Sequence, residues 1–313
     1  LITVIIPVYN AAKFVSQAVE SALEQPETAE VLLIEDGSPD NALEICQHLT
    51  EKYEKVKLLR HPNGENRGAG ASRNLGMKNA LYEYIAFLDA DDYYLPGRFT
   101  ITRQIFEEDV TCEGVYEAAR TFIENKSGEE RWLLAGRSPD RFYTMKKNIP
   151  PEELTKALLN SGKFGYFILD SFSLKKSVLL KTGFMNEQLK LHQDTDFILR
   201  ASCVARLLPG RLAEPVSMVR VHDLNRITAS KSQSQKYKNR MKFWMSLYDW
   251  VKENGKPEME QEIIHAIVGY NRSHKYFKNF PTKIFPARLV WTTRLIRLFK
   301  YPEVLWDLIK HKN

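Results

Sequence analysis

The first hundred residues alternate between short apolar runs and segments of helical periodicity, and each apolar run stops at a polar tip. Leu1–Pro7 is a continuous β-branched stretch, as suits a strand buried on both faces. Ala11–Glu24 follows with Phe14, Ala18, Val19, Ala22 and Leu23 along one side of a helix. Val31–Ile34, Val56–Arg60 and Tyr84–Leu88 read as three further strands. Asn41–Tyr53, Gly70–Ala80 and, after Pro96, Arg98–Glu107 read as helices. This βαβαβαβ order implies an α/β class with a mostly parallel sheet flanked by helices. Such sheets take their ligands outside the C-terminal strand ends.

The suggestive polar residues sit at those ends. Tyr9-Asn10 follows the first strand and Glu35-Asp36-Gly37-Ser38 the second, while Phe87-Leu88-Asp89-Ala90-Asp91-Asp92 closes the fourth in three carboxylates. Carboxylates massed on a rigid tip repel one another unless a cation lies among them. Mg²⁺ and Mn²⁺ take oxygen ligands and keep positions open for phosphate oxygens. The tip therefore reads as a docking place for a metal–phosphate complex.

The chain is harder to read from 109 to 170. Val115–Ile123 has strand character, Glu124–Pro151 is a charged, turn-rich excursion, and Glu152–Leu159 is helical. Regularity returns with Ser173–Thr182, a turn at Gly183-Phe184, a helix over Asp194–Ala205 and an alternating strand over Glu214–His222.

Taken together, four ordered motifs resemble family 2 glycosyltransferases of the GT-A fold. They are Val4-Ile5-Ile6-Pro7-Val8-Tyr9-Asn10, Glu35-Asp36-Gly37-Ser38, Asn66-Arg67-Gly68 with Ala71-Ser72-Arg73-Asn74, and Asp89-Ala90-Asp91-Asp92. The likeness is close over residues 1–100 and continues more weakly to about His222. It implies a metal-dependent, inverting transfer from a nucleotide-diphospho-sugar, a UDP-sugar foremost, with GDP and dTDP sugars open. The acceptor it implies is a hydroxyl of a glycan or lipid-linked saccharide in surface-polysaccharide assembly. By the same resemblance the donor lies on Pro7, Tyr9, Asp36, Arg73, Asp89, Ala90 and Asp91. Asp91 would bind Mn²⁺ or Mg²⁺, with His222 a second candidate beside the metal or diphosphate, and Asp194 would be the catalytic base. Family members usually carry Glu-Asp at that last point; this chain has Gln193-Asp194, a departure at the first member only.

The side chains suit these roles. Tyr9 offers a flat face to a base, Asp36 accepts hydrogen bonds from base or ribose, and the Arg73 guanidinium matches phosphate or uracil oxygens. Arg226 is a further candidate phosphate contact. Asp194 also fits a first-turn capping position, a role compatible with catalysis, and His222 also fits a structural one. A sugar nucleotidyltransferase would carry a glycine-rich basic loop after the first strand, where Pro7-Val8-Tyr9-Asn10 stands instead. A catalytically silent sugar-nucleotide-binding or scaffold protein would have no need of Asp89, Asp91 and Asp194 together.

The net charge of +6 is unevenly spread, since residues 231–313 hold 17 Lys and Arg against 7 Asp and Glu. The expected division is a GT-A domain over 1–230 and a basic helical C-terminal region over 231–313, with different partners for each. Residues 270–313 carry an amphipathic stripe, Trp291, Leu295, Leu298 and Phe299, opposite Arg294, Arg297 and Lys300. The stripe suits packing on the domain or a second subunit. It also suits peripheral contact with an anionic membrane. It does not suit nucleic acid, because its aromatics lie among leucines and isoleucines. The three cysteines make no disulfide framework or metal pattern. Together with the missing leader pattern and the lack of a spanning apolar stretch, this points to a cytoplasmic protein, peripheral at most to the inner face of the membrane. The start at Leu1 is expected of numbering that begins inside a longer chain.

Overall fold

The computed structural model describes residues 1–223, 225, 233–254 and 256–273. The chain divides into two compact units, Leu1–Phe243 and Trp244–Asn313. The first unit opens with β1 (Ile2–Val8), α1 (Val15–Leu23), β2 (Thr28–Glu35), α2 (Ala42–Lys52), β3 (Val56–Arg60), α3 (Ala69–Asn79) and β4 (Tyr84–Phe87). It continues through β5 (Tyr93–Tyr94), α4 (Thr100–Glu108), β6 (Gly114–Tyr116), β7 (Ala118–Ile123), α5 (Lys126–Leu134), β8 (Phe142–Tyr143), α6 (Pro151–Leu159) and α7 (Ser161–Phe164). Then come β9 (Phe172–Lys175), α8 (Leu179–Thr182), α9 (Gln193–Val204), β10 (Leu207–Pro209), β11 (Pro215–Val221) and α10 (Gln233–Glu253), which runs into the second unit. There α11 (Pro257–Ser273) follows, and Leu247, Tyr248, Val251, Ile263 and Ile264 are buried at helical spacing. Arg226 and, beyond Ser273, the basic stretch 270–313 lie outside the described residues.

The main sheet has the order β10-β6-β9-β4-β1-β2-β3. All its pairs are parallel except those of β9, which runs antiparallel to both neighbours. The expected α/β fold with a mostly parallel, helix-flanked sheet is what the chain adopts. Period-two alternation assigns the two faces of β1 and β2. Val4, Ile6, Val8, Val31 and Leu33 share a core with Val15, Val19 and Ala22 of α1 and Cys46 and Leu49 of α2. Ile5 and Ile34 face α3 at Gly76. A Cβ there would lie 2.4 Å from Ile5 Cγ2 and 3.0 Å from Ile34 Cδ1, so only glycine lets the helix come this close. Each fully buried Val, Leu or Ile of this core contributes roughly 1.5–3 kcal/mol.

Two expectations need correction. Val115–Ile123 is not one strand. It breaks at Glu117 into β6 of the main sheet and β7 of a second sheet, β5-β11-β7-β8. At the break the Glu117 N–H donates to the Ser171 carbonyl at 2.8 Å, and its buried carboxylate takes Arg98 Nη1 at 2.8 Å and Thr102 Oγ1 at 2.9 Å. The Arg98–Glu107 helix starts only at Thr100, since Arg98 is drawn into the core by this pair and by the Asp170 carbonyl, 3.1 Å from its Nε. The excursion 124–151 contains α5 and β8, and β8 extends the second sheet. That sheet matters for function: β5 pairs with β11 and so ties the segment after Asp92 to the strand that leads into His222.

Candidate active site

The tips of β1, β2 and β4, the start of α3, the start of α9 and the end of β11 carry the residues singled out in the sequence. Tyr9 lies one residue past β1 and is 53% exposed. Pro7 is within β1, and Asn10 takes a left-handed backbone that turns the chain away from the strand. Asp36 lies just past β2 and is buried. Its carboxylate accepts the Arg67 N–H at 2.8 Å and the Gly68 N–H at 2.9 Å, and its carbonyl accepts from Asn66 Nδ2 at 2.8 Å. Asp36 thus fixes the loop that leads into α3. That holding role shares the carboxylate with any contact to a nucleoside.

Arg73, on α3, is buried, and its Nη2 donates to the Asp89 carboxylate. Burial opposes its charge, but Asp89, Asp194 and Asp170 nearby outweigh this and raise its pKa above the ordinary arginine value. Asp194 stands in the first turn of α9, and its negative charge is one of those that raise the Arg73 pKa. Gln193 packs beside Gly70 at the start of α3, which brings the two helix starts together. Asp194 is half-buried, and one of its oxygens accepts the Thr195 N–H at 2.7 Å. Asp196, by contrast, is fully buried and ion-paired with Arg200 at 2.7 Å. Arg200 donates onward to the carbonyls of Thr182 and Phe184, and Asn74 holds Met185 through two hydrogen bonds of 2.9 Å. These contacts fasten the 182–185 segment to α9 and α3.

The acidic tip divides by exposure. Ligand oxygens of Asp89, Asp91 and Asp92 lie within 4.8 Å of one another. Asp92 is buried, accepts the Arg220 N–H at 2.7 Å and faces Asp170 as a hydrogen-bonded carboxyl pair. Two carboxyls can pair this way only with a proton between them. Burial, then Asp91 and Asp170, push the Asp92 carboxyl well above the usual range; burial and then Asp89 push Asp170 up to about 7. The side chains of Asp89 and Asp91 remain 44% and 32% exposed, so these two present oxygens outward. Asp91 Oδ2 meets His222 Nε2 at 3.0 Å and Asn225 Nδ2 at 3.2 Å. His222 is buried against Phe14, ring centroids 4.5 Å apart. A set of hard oxygens with one buried imidazole beside it fits a divalent cation, and Ala90 is the buried link between the two exposed carboxylates.

Sequence reasoning missed two residues of this site. Asp170 is buried at the foot of the tip and accepts the Asp89 N–H at 3.1 Å. Arg220, on β11, donates to the Asp91 carbonyl at 2.8 Å and to Glu124. An acid inside the apolar run Phe167–Phe172 was the available signal for Asp170. Arg220 gave only the weaker one of a charge in an alternating strand.

A model of the glycosyl transferase family 2 matches residues 3–166. An uncharacterized glycosyltransferase of Haemophilus influenzae is 43% identical over 94 residues, which are 30% of this chain and 37% of that protein. A second from the same organism is 25% identical over 225 residues, 71% of this chain and 69% of that one. Glycosyltransferase GlyG of Streptococcus pneumoniae is 35% identical over 111 residues, 35% of this chain and 36% of GlyG. The chain covers 37% or less of the length of several of these relatives and only 17% of one from Rickettsia felis. Among solved structures, residues 1–349 of S. aureus TarS with UDP-GlcNAc superpose with a TM-score of 0.64 at 18% identity, covering 91% of this chain and 76% of that one. At that identity the likeness is one of fold, and it agrees with a GT-A-type sheet flanked by helices. Since the family model spans more than half of the chain, including the tips of β1, β2 and β4 and the α3 start described above, the chain belongs to glycosyl transferase family 2.

Proposed function

We propose that this protein is a metal-dependent, inverting glycosyltransferase that moves a sugar from a nucleotide-diphospho-sugar to a hydroxyl of a glycan or lipid-linked saccharide. A UDP-sugar is the favoured donor, and surface-polysaccharide assembly the favoured setting. The observation that carries this reading is the outward pair Asp89 and Asp91, with Arg73 holding Asp89 and the start of α9, which carries Asp194, packed through Gln193 against the start of α3.

Asp91 would hold Mn²⁺ or Mg²⁺, with His222 behind it, and Asp89 stands beside them. When bound, the cation supplies Lewis-acid neutralisation of charge on the departing nucleoside diphosphate. The chain's own residues do the rest. Tyr9 offers its exposed ring to the base. Asp36 and the loop it fixes border the nucleoside. Arg73 keeps Asp89 in place and adds positive charge beside the diphosphate. Asp194 takes the proton from the acceptor hydroxyl as that oxygen bonds the anomeric carbon. A single displacement from the face opposite the leaving group inverts the configuration.

Incubation with a panel of UDP-, GDP- and dTDP-sugars and Mn²⁺, with saccharide acceptors, tests the reading. Release of one nucleoside diphosphate with a product of inverted anomeric configuration is the expected result. A retained configuration would refute the assignment of Asp194 as base, and cleavage to a sugar phosphate would indicate a nucleotidyltransferase.

A further inference from the structure

One short stretch, residues 124–131 at the start of the charged excursion, meets Arg220, Val221, His222 and Asp223 in turn. The Glu124 carboxylate accepts from Arg220 Nη1, and the Glu124 N–H donates to the Val221 carbonyl at 3.0 Å. Arg131 Nη1 donates to the Asp223 carbonyl. Between them Gly128, in the first turn of α5, lies against the main chain of His222. A Cβ at 128 would fall 2.6 Å from the His222 Cα, 2.8 Å from its carbonyl carbon and 2.9 Å from its nitrogen.

Neither side of this contact is free to give way. Asn125 caps α5, its Oδ1 accepting the Gly128 N–H at 2.7 Å. Farther along the helix, buried Trp132 donates through Nε1 to the Ser138 carbonyl at 2.8 Å. On the other side the His222 ring lies against Phe14, centroids 4.5 Å apart, and its Nε2 is 3.0 Å from Asp91 Oδ2. The His222 N–H donates to Asn225 Oδ1 at 2.6 Å, and Asn225 Nδ2 reaches the same Asp91 oxygen at 3.2 Å. A methyl group at 128 would meet backbone, not the tip of a flexible side chain, so α5 and the His222 main chain would have to part. Moving that main chain moves the imidazole, and a hydrogen bond weakens steeply as its length and angle leave their optimum.

We propose that Gly128 is a positioning residue of the metal site: its lack of a side chain lets α5 seat the His222 main chain where the imidazole meets Asp91. The excursion thereby becomes the support of a carboxylate at the tip of β4. The proposal rests on Asp91 holding the cation in the transfer proposed above.

The test uses the full chain at saturating UDP. Electron paramagnetic resonance reads free Mn²⁺ during titration of wild type, Gly128→Ala, His222→Ala and the double variant, each checked for folding by circular dichroism. Gly128→Ala is expected to bind Mn²⁺ at least about tenfold more weakly, the scale of losses from disturbing the partners of metal ligands. A role in the helix alone predicts no such loss, because alanine is the better helix former. In the His222→Ala background the same change should alter affinity by no more than about twofold, since both act through one imidazole. Wild-type affinity in Gly128→Ala or in His222→Ala, or an equal loss from Gly128→Ala in both backgrounds, would overturn the proposal and leave the transferase reading standing. If the wild type binds no Mn²⁺ with UDP, the transferase reading fails first and the proposal falls with it. Should Gly128→Ala fail to fold, Arg131→Gln, which only unties Asp223, decides by the same criteria, with a loss of about threefold in place of tenfold.

Discussion

His222 Nε2 lies 3.0 Å from Asp91 Oδ2, so the end of β11 grips the carboxylate at the tip of β4. The contact is framed by the small second sheet, where Tyr93 and Tyr94 of β5, just after Asp91, pair with Met218 and Ser217 of β11, which leads into His222. An imidazole held by Phe14 orients one carboxylate oxygen and leaves the other for a cation. His222→Ala is therefore expected to weaken Mn²⁺ binding about 10- to 100-fold, read by titration of the free ion in the presence of UDP. Unchanged affinity would make His222 a packing residue only.

Asp194 is the only group proposed to take the acceptor proton. Asp194→Asn keeps the shape and the hydrogen bond from Thr195 but removes the basicity. Transfer should fall by about 10²–10⁴, while the dissociation constant of UDP with Mn²⁺ stays the same. Initial-rate assays with matched calorimetry read both. A variant with wild-type turnover would move the base elsewhere.

The buried Arg98–Glu117 pair sits where β6 leaves the main sheet for β7, and Arg98 also supports the carbonyl of Asp170. Glu117→Ala strands the guanidinium in the core, at a cost of about 3–5 kcal/mol, visible as a lower urea midpoint. Arg98→Met with Glu117→Leu should recover part of that loss, because the two fully buried charges are removed together while Arg211 still loses its contact with Glu117. A near-neutral Glu117→Ala would show that water reaches Arg98.

Burial, with Glu35 and Asp40 nearby, pushes the Cys46 thiol up to about 12, and burial pushes Cys112 up to about 11. Both raised values disfavour the thiolate, so neither residue supplies nucleophile at pH 8. Iodoacetamide under native conditions should label half-buried Cys203 before the other two, by peptide mass mapping. Equal labelling of Cys46 would mean that α2 opens from β1 and β2.

The first hundred residues were legible because each element there is fixed by local pattern: a β-branched run, a 3.6 period, a polar stop. The strand-end motifs followed from the same geometry, since a parallel sheet gathers its strand tips on one edge. Asp170, Glu117 and Arg220 were not legible in this way. Their partners are distant in sequence, the Asp89 N–H for Asp170, Arg98 for Glu117 and Glu124 for Arg220, and nothing local marks a buried charged residue whose partner arrives only on folding. Val115–Ile123 misled for a related reason. Its apolar content suits a single strand, and only the pairing of β6 with β9 and β10 and of β7 with β8 and β11 shows that it changes sheets.

Calorimetric titration with UDP, GDP and dTDP, each with Mn²⁺ and with EDTA, tests the central claim most directly. Binding of one nucleotide, UDP foremost, only with the metal and lost in Asp91→Ala, is the predicted result. Binding of no nucleotide under either condition would contradict the account, and so would binding that is indifferent to EDTA and to Asp91→Ala.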